Sequence, residues 1–145
     1  MKTTPSAKVS NAKKTARPTV LLLEPDADQS EAITAALQAA GYAVRHAHSA
    51  QEAIRHSDQA VPALVVLELS LQAHNGIEFL HEFRSYAEWT LVPVVVFSAQ
   101  RLADPRQLAH FGDVTYLYKP ATSLADLCRH VQATLRDRDH QQAAE

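Results

Sequence analysis

The run Leu64-Val65-Val66-Leu67, followed at once by Glu68, decides the fold of this chain. Consecutive apolar residues favour a strand buried on both faces, because a strand with one solvated face would alternate apolar and polar side chains. Four other short runs are apolar or β-prone: residues 20–23, 42–47, 92–97 and 114–118. Such strands are typical of a parallel sheet that helices cover on both sides.

Helical patterns lie between and after these runs. Residues 28–40 have one apolar helical face and end at Gly41, and Ser49 with Glu52 forms a capping box that opens a second helix. Three more helices are predicted: one from the spacing of Ile77, Leu80, Phe83 and Ala87, one over residues 102–111, and one through Leu124, Leu127, Val131 and Leu135. The alternation predicts an α/β fold, a doubly wound five-stranded parallel sheet with five helices.

The composition excludes several classes of protein. The apolar runs are too short to span a membrane, and the N-terminus lacks the apolar core of a secretory signal, so we expect a cytoplasmic protein. Cys128 is the only cysteine, which excludes an internal disulfide. The three glycines of the chain cannot form a glycine-rich phosphate loop.

Charge is distributed unevenly along the chain. Residues 1–17 hold five basic residues and no acidic one, whereas the remainder holds nine basic and 16 acidic residues. We predict a disordered basic leader over residues 1–17, one folded domain over residues 18–138 and a polar tail over residues 139–145. The leader would be the only feature to bind nucleic acid, and without an interleaved aromatic residue a solvated segment is favoured.

Polar residues recur at the ends of the predicted strands. Glu24 follows the first strand, Glu68 the third, Ser98 the fourth and Lys119 the fifth. Because the carboxyl ends of parallel strands share one edge, we expect these four side chains to face a common cleft. The sequence therefore predicts a site with two carboxylates, one hydroxyl and one ammonium.

Other polar or aromatic residues have simpler interpretations. His46 and His48 share one face of a strand, but no cysteine or acidic ligand accompanies them, so a surface pair is favoured and no metal site is predicted. Trp89, before the fourth strand, is either packed over the core or exposed as a contact.

The motifs together resemble the receiver domains of two-component response regulators, over residues 19–137. The resemblance rests on Leu-Leu-Leu-Glu-Pro-Asp (21–26), Pro-Ala-Leu-Val-Val-Leu-Glu-Leu (62–69), Asn-Gly-Ile-Glu-Phe-Leu (75–80), Val-Pro-Val-Val-Val-Phe-Ser-Ala (92–99) and Tyr-Leu-Tyr-Lys-Pro (116–120). It implies the flavodoxin-like strand order 2-1-3-4-5 and a role in bacterial signal transduction.

The resemblance also implies roles for individual residues. Ser98 corresponds to the hydroxyl that contacts a phosphoryl group, and Lys119 corresponds to the ammonium that binds it. Tyr116 corresponds to the aromatic residue whose rotamer reports the signalling state. Pro120 is expected to follow a cis peptide bond, the form that only X–Pro bonds adopt at low cost.

Two positions depart from the family pattern. Glu68 stands at the phospho-acceptor position in place of Asp, and Glu24-Pro25 replaces the acidic pair, so the resemblance leaves Glu24 and Asp26 as the remnant of the acidic pocket. Mg²⁺ needs near-octahedral oxygen ligands and Pro25 supplies none, so we expect Mg²⁺ binding to be weak or lost and no cofactor. The longer Glu68 side chain would misalign phosphoryl transfer, so we expect neither conventional phosphorylation nor an enzyme.

Two interpretations of Glu68 remain open at this point. The Glu68 carboxylate carries about one negative charge, against −1.5 to −2 for a phosphate, so it would mimic a phosphoryl group only in part. Either this charge holds the domain permanently in an active-like state, or the site is a relic and the domain acts as a scaffold whose partners ignore the cleft. Two further functions are the alternatives to a phosphorylation-independent interaction module. One is a conventional receiver phosphorylated by a histidine kinase, and the other is a nucleic-acid-binding adaptor acting through residues 1–17.

Receiver domains usually bind partners through their fourth helix, fifth strand and fifth helix. We call the corresponding surface the output face, and its predicted members are Leu102, Arg106, His110, Tyr116 and Tyr118, with part of the last helix near Arg129. An edge strand with aromatic side chains invites association. We therefore expect a sensor kinase, a downstream signalling protein or a second copy of the chain to bind there.

Overall fold

Five parallel strands form the centre of the structure, a computed structural model that describes residues 17–144. They are β1 (Thr19–Leu23), β2 (Ala43–Ala47), β3 (Leu64–Leu67), β4 (Val94–Ser98) and β5 (Val114–Tyr118). The strand order is β2-β1-β3-β4-β5, and every neighbouring pair is parallel. The predicted doubly wound, flavodoxin-like sheet of order 2-1-3-4-5 is confirmed.

Helical segments connect the strands. The α-helices are α1 (Ala27–Ala39), α2 (Ala50–Gln59), α3 (Gly76–Arg84) and α4 (Leu124–Ala144), and the 3₁₀ helices are η1 (Ala87–Trp89), η2 (Pro105–Phe111) and η3 (Lys119–Ala121). The end of α1 is followed by Gly41 at φ +105°, a conformation that glycine adopts without a steric penalty. Ser49 caps α2 by accepting a hydrogen bond from the Glu52 N–H, but the Glu52 carboxylate accepts from the His48 N–H, so only half of the predicted capping box forms.

The sheet is buried on both faces because alternate strand residues enter two separate cores. Val20 and Leu22 pack with Ile33 of α1 and Leu127 of α4. Leu21 and Leu23 point to the other side, where they pack with Ala53, Phe79, Phe83 and Trp89. This two-sided burial explains why the three central strands β1, β3 and β4 are almost entirely apolar instead of alternating.

The segment predicted as a short helix over residues 102–111 is instead the 3₁₀ helix η2. Asp104 caps it by accepting from the Arg106 N–H, and Pro105 occupies its first turn. Gly112 ends it at φ +84°. Because Gly112 ends the segment after seven residues, a regular α-helix has little length in which to form.

Three further local expectations are corrected. Ala87 is exposed, and Phe79 takes the buried place because α3 ends at Arg84. Helix α4 continues through residues 139–144, which were predicted as a separate tail, since no Gly or Pro occurs before Ala144 to end it. No cis peptide bond occurs within residues 17–144, so the bond before Pro120 is trans, the isomer that X–Pro bonds also prefer.

Two further sequence predictions concern the basic leader and membrane-spanning segments. Of the basic leader predicted for residues 1–17, all but Arg17 lies outside the described residues. Within residues 17–144, none of the helices has both the length and the apolar character needed to cross a membrane.

Candidate functional site

The strand register brings the four predicted cleft residues together at the carboxyl edge of the sheet. Leu23 pairs with Leu67, so Glu24 and Glu68 leave neighbouring strands side by side. Ser98 pairs with Tyr118, the residue before Lys119. Glu24, Glu68 and Ser98 are buried, with exposed fractions of 2%, 5% and 0%, so the cleft holds polar groups largely removed from water.

The Lys119 ammonium lies between the two carboxylates. Its Nζ is 2.6 Å from Glu24 Oε1 and 2.7 Å from Glu68 Oε1. The Lys119 side chain is only 11% exposed, so this cation is shielded from competing water. One cation shared by two carboxylates leaves the trio with one net negative charge.

Both oxygens of the Glu68 carboxylate are occupied by donors. Oε1 accepts from Lys119 and from the Ala99 N–H at 3.1 Å, and Oε2 accepts from the Ser98 hydroxyl and from the Ser70 N–H at 2.9 Å. Burial raises the pKa of Glu68, but these hydrogen bonds outweigh it and hold the pKa below its ordinary value. Glu68 is therefore a fixed anion at neutral pH.

Ser98 connects Glu68 to the loop that follows β4. Its hydroxyl donates to Glu68 Oε2 and accepts from the Gln100 N–H at 3.0 Å and, more weakly, from the Leu69 N–H at 3.4 Å. A hydroxyl that both donates and accepts has a fixed orientation. The position of the Gln100 backbone thus depends on Ser98 and, through it, on Glu68.

Asp26 has a different place from the one predicted. Its side chain is exposed and caps α1, accepting from the Gln29 N–H at 2.8 Å, instead of joining an acidic pocket. Its N–H donates to Glu24 Oε2 at 3.0 Å, so Asp26 supports Glu24 through the backbone. Asp26 is the N-cap residue of α1, and an N-cap carboxylate satisfies a backbone N–H at the start of the helix that has no partner within it.

His46 lies in β2, and His48 follows directly after that strand. The His46 Nε2 lies 2.8 Å from the Glu24 carbonyl oxygen, and the His48 Nδ1 lies 3.4 Å from Glu52. The two rings contact each other with centroids 4.1 Å apart. The pair therefore braces the chain beside Glu24.

The donor set in the cleft does not fit Mg²⁺. Within residues 17–144 no three His, Cys, Asp or Glu side chains are arranged to hold a metal ion. Lys119 stands between the carboxylates of Glu24 and Glu68, Pro25 offers no side-chain oxygen, and Asp26 caps a helix. An octahedral oxygen shell would require these groups to rearrange.

The output face lies next to this cleft. The Tyr116 hydroxyl donates to the Gln100 carbonyl oxygen at 2.7 Å and accepts from the Leu102 N–H at 3.2 Å. A cavity of about 570 Å³ opens there, and its walls are Arg101, Leu102, Ala103, Pro105, Tyr116 and Tyr118. Three of the predicted members of the face therefore share one concave surface.

The other predicted members of the output face are engaged elsewhere. Arg106 forms an exposed ion pair with Asp104 at 3.0 Å, and the His110 ring contacts Phe111 and His81. Arg129, exposed on α4, pairs with Asp126. Neither Arg106 nor His110 lines the cavity.

Several contributors to the site escaped the sequence analysis. The Arg101 guanidinium lies over the Tyr118 ring, 5.2 Å from its centroid, and leaves a cation at the cavity mouth. The backbone N–H groups of Ser70 and Ala99 carry no residue-type signal. Gly76 did carry one: a Cβ there would lie 2.8 Å from the Leu69 backbone, so the glycine permits close packing directly after Glu68.

Comparisons with known proteins agree with this geometry. The family model of the response regulator receiver domain matches residues 20–132. The chain therefore belongs to the response regulator receiver domain family, and its role lies within two-component signalling.

Curated relatives are longer than this chain. The transcriptional regulatory protein PrrA of Mycobacterium leprae is 31% identical over 122 residues, which are 83% of this chain and 51% of PrrA. The KDP operon transcriptional regulatory protein KdpE of Escherichia coli is 30% identical over 118 residues, or 81% of this chain and 51% of KdpE. The chain thus spans about half the length of these relatives.

Solved structures share the fold at lower identity. The chemotaxis protein CheY4 of Vibrio cholerae superposes with a TM-score of 0.74 at 21% identity, covering 81% of this chain and 98% of that protein. A CheY-like receiver domain protein of Methanospirillum hungatei gives a TM-score of 0.77 at 16% identity, covering 87% and 99%. At these identities the likeness supports the fold alone.

Proposed function

We propose that this chain is a receiver domain whose signalling state is set by Glu68 instead of by phosphorylation. In this proposal it is a cytoplasmic protein-interaction module of bacterial two-component signalling, not an enzyme, and it needs no metal. The observation that carries the proposal is that the Glu68 carboxylate already engages Ser98, Lys119 and the Ala99 N–H. By the family resemblance, the first two are groups that would hold a phosphoryl group.

The chemistry of phosphoryl transfer argues in the same direction. An acceptor carboxylate needs a free oxygen in line with the donor and a metal to neutralise charge. Both Glu68 oxygens accept hydrogen bonds, and Lys119 stands where a second cation would be repelled. Phosphoryl transfer to Glu68 would have to displace these contacts. Breaking a buried ion pair such as Glu68–Lys119 costs on the order of 3–5 kcal/mol.

A hydrogen-bonded path links the cleft to the output face and favours a held state over a relic. The Ser98 hydroxyl, fixed by Glu68, accepts from the Gln100 N–H. The Gln100 carbonyl accepts from the Tyr116 hydroxyl, which in turn accepts from the Leu102 N–H. Each step is a direct hydrogen bond. A change at Glu68 would therefore reach the walls of the cavity through Ser98, the Gln100 backbone and Tyr116.

The partner in this proposal is a protein that binds the output face. The cavity formed by Leu102, Pro105, Tyr116 and Tyr118 offers apolar surface, with the Arg101 cation at its mouth. Aromatic residues and arginine are the residues that most often dominate protein interfaces. A sensor kinase or a downstream signalling protein is the expected class of partner.

Phosphorylation with a small-molecule donor tests the proposal. The wild type, incubated with acetyl phosphate and Mg²⁺, should gain no phosphoryl group by intact mass, and Mg²⁺ should not shift its NMR resonances near Glu68. The double variant Glu68→Asp/Pro25→Asp places an aspartate at both positions that depart from the family pattern and should gain both responses. Pro25→Asp alone is the matched control and should not be labelled.

The opposite result would replace the proposal with a conventional receiver. If the wild type is labelled at Glu68 in the presence of Mg²⁺, phosphorylation sets its state after all. If Glu68→Ala leaves the NMR resonances of Gln100 and Tyr116 unchanged, the cleft does not control the output face and the relic interpretation is correct.

A further inference from the structure

The edge of the sheet opposite the cleft carries an unusual apolar feature. Among the described residues, Val61 and Leu91 are the two large apolar side chains that are exposed, at 52% and 73%. Each precedes a central strand, Val61 before β3 and Leu91 before β4, and these strands are neighbours in the sheet. Both side chains therefore emerge close together at the amino edge.

Leu91 stands between two recesses. One cavity of about 460 Å³ is lined by Pro18, Val61, Pro62, Leu135 and others, and a second of about 560 Å³ is lined by Thr90, Gly112, Asp113, Thr134 and others. Leu91 and Arg138 border both. The Leu91 side chain therefore protrudes directly beside two cavities, each large enough to hold a leucine side chain.

The rim of the first cavity carries both signs of charge. Glu88 of η1 and Asp139 of α4 face it together with Arg138, whose guanidinium donates to the Leu91 carbonyl oxygen. Within residues 17–140, neither Glu88 nor Asp139 has an ion-pair partner. We call Val61, Glu88, Leu91, Arg138 and Asp139 the amino-edge patch.

We propose that the amino-edge patch binds a second copy of this chain in an isologous dimer. A two-fold interface places the same patch on both subunits, so it must be complementary to itself. This patch is self-complementary in shape, because Leu91 of one copy can enter the recess beside Leu91 of the other. It is also self-complementary in charge, because Arg138 of one copy can face Glu88 and Asp139 of the other.

The proposed dimer leaves the signalling surfaces accessible. The cleft and the output-face cavity lie beyond the carboxyl ends of the strands, whereas the amino-edge patch lies before them. A dimer at the amino edge would therefore present two output faces to a partner. This goes beyond the proposed function and does not depend on the state of Glu68.

Sedimentation velocity of the full chain over a range of concentrations tests the dimer. The wild type should show a concentration-dependent dimer, and Leu91→Asp should weaken it at least about tenfold, as expected for a central apolar contact. Because Leu91 is 73% exposed, its replacement should leave the thermal unfolding curve unchanged at concentrations where the wild type is monomeric. Leu102→Asp on the output face is the control and should leave the association constant unchanged, with its thermal unfolding curve recorded as well because Leu102 is half-buried against the core.

A charge-swap experiment tests the two-fold arrangement. Glu88→Arg and Arg138→Glu should each weaken self-association, because each places like charges opposite one another. A mixture of the two variants should restore a dimer, since Arg138 of one chain then faces Glu88 of the other and the two introduced residues also pair. Failure of the mixture to restore association would show that the isologous pairing is wrong.

Two other outcomes would overturn the proposal. A wild type that stays monomeric at all concentrations would mean that the patch is covered by something other than a second copy. A dimer that survives Leu91→Asp and is lost in Leu102→Asp would place self-association on the output face instead.

Discussion

Replacing Lys119 by Met removes the ammonium from the cleft while keeping a side chain of similar length. Glu24 and Glu68, only 3% and 5% exposed in their side chains, would then face each other without a cation. Removing one partner of a buried ion pair costs about 3–5 kcal/mol, because the remaining charge is buried and unpaired. We therefore expect the free energy of unfolding at neutral pH to fall by about 3–5 kcal/mol, a large part of the 5–15 kcal/mol typical of a domain.

The pH dependence of this loss follows from the pKa of Glu68. In the wild type the pKa lies below the ordinary 4.5, so the stabilisation by Glu68 is present above that value and is lost as the pH falls through the folded pKa. In Lys119→Met, burial acts without its main counterweight and raises the pKa above the unfolded value. Stability of the variant should then fall as the pH rises, so its deficit against the wild type should shrink between about pH 7 and pH 5.

Urea unfolding followed by the fluorescence of Trp89 measures both effects. Trp89 is the only tryptophan of the chain and is 1% exposed, so its emission reports the loss of the core. Arg106→Met, which removes an exposed ion pair with Asp104, is the control and should change stability little at any pH. A loss below about 1 kcal/mol for Lys119→Met, or a loss independent of pH, would refute the argument that Lys119 compensates buried charge.

Three other predictions can be checked with the same preparations. Gly76→Ala should destabilise the fold by about 1–3 kcal/mol in urea unfolding, since its Cβ would lie 2.8 Å from the Leu69 backbone. Tyr116→Phe removes the hydrogen bond to the Gln100 carbonyl and should shift the NMR amide resonances of residues 100–102. An unchanged spectrum would show that Tyr116 does not couple the cleft to the output face. Burial lowers the pKa of His56 below its ordinary 6.5, so wild-type stability should fall as the pH drops from that value, and the slope should be smaller in His56→Gln.

The central strands and their polar ends were predictable from the sequence. Uninterrupted runs such as residues 64–67 specify strands buried on both faces, and burial needs no knowledge of the neighbouring strand. A polar residue directly after such a run must lie at the edge of the sheet. The pattern therefore predicts one cleft for Glu24, Glu68, Ser98 and Lys119, and their side chains are hydrogen-bonded to one another in the structure.

Helix ends and irregular segments were predicted less well because several local signals compete there. Asp26 was expected to serve the cleft, but the start of α1 takes its carboxylate as a cap. The sequence predicts a helix over residues 102–111, yet Gly112 ends the segment after the seven residues of η2. The sequence does not decide whether Trp89 packs over the core or is exposed, and in the structure Trp89 stacks on Phe83 and is buried in the core.

The contacts that join the cleft to the output face could not be predicted at all from residue types. The N–H groups of Ser70, Ala99 and Gln100 are backbone donors, and any residue would supply them. The Arg84 guanidinium likewise donates to the carbonyl oxygens of Phe111 and Asp113, 27 and 29 residues along the chain, and so holds the end of η2 through contacts distant in sequence.

By itself, the sequence determines the strands, their buried character and the polar groups at their ends, because these depend on the local pattern of apolar residues. It also determines that Glu68 and Pro25 depart from the receiver pattern. Only the tertiary structure decides that Lys119 lies within 2.7 Å of two carboxylates and that Leu91 protrudes beside a recess. Such distances depend on how neighbouring strands align and how helices pack across them, and no single segment of the chain encodes that arrangement.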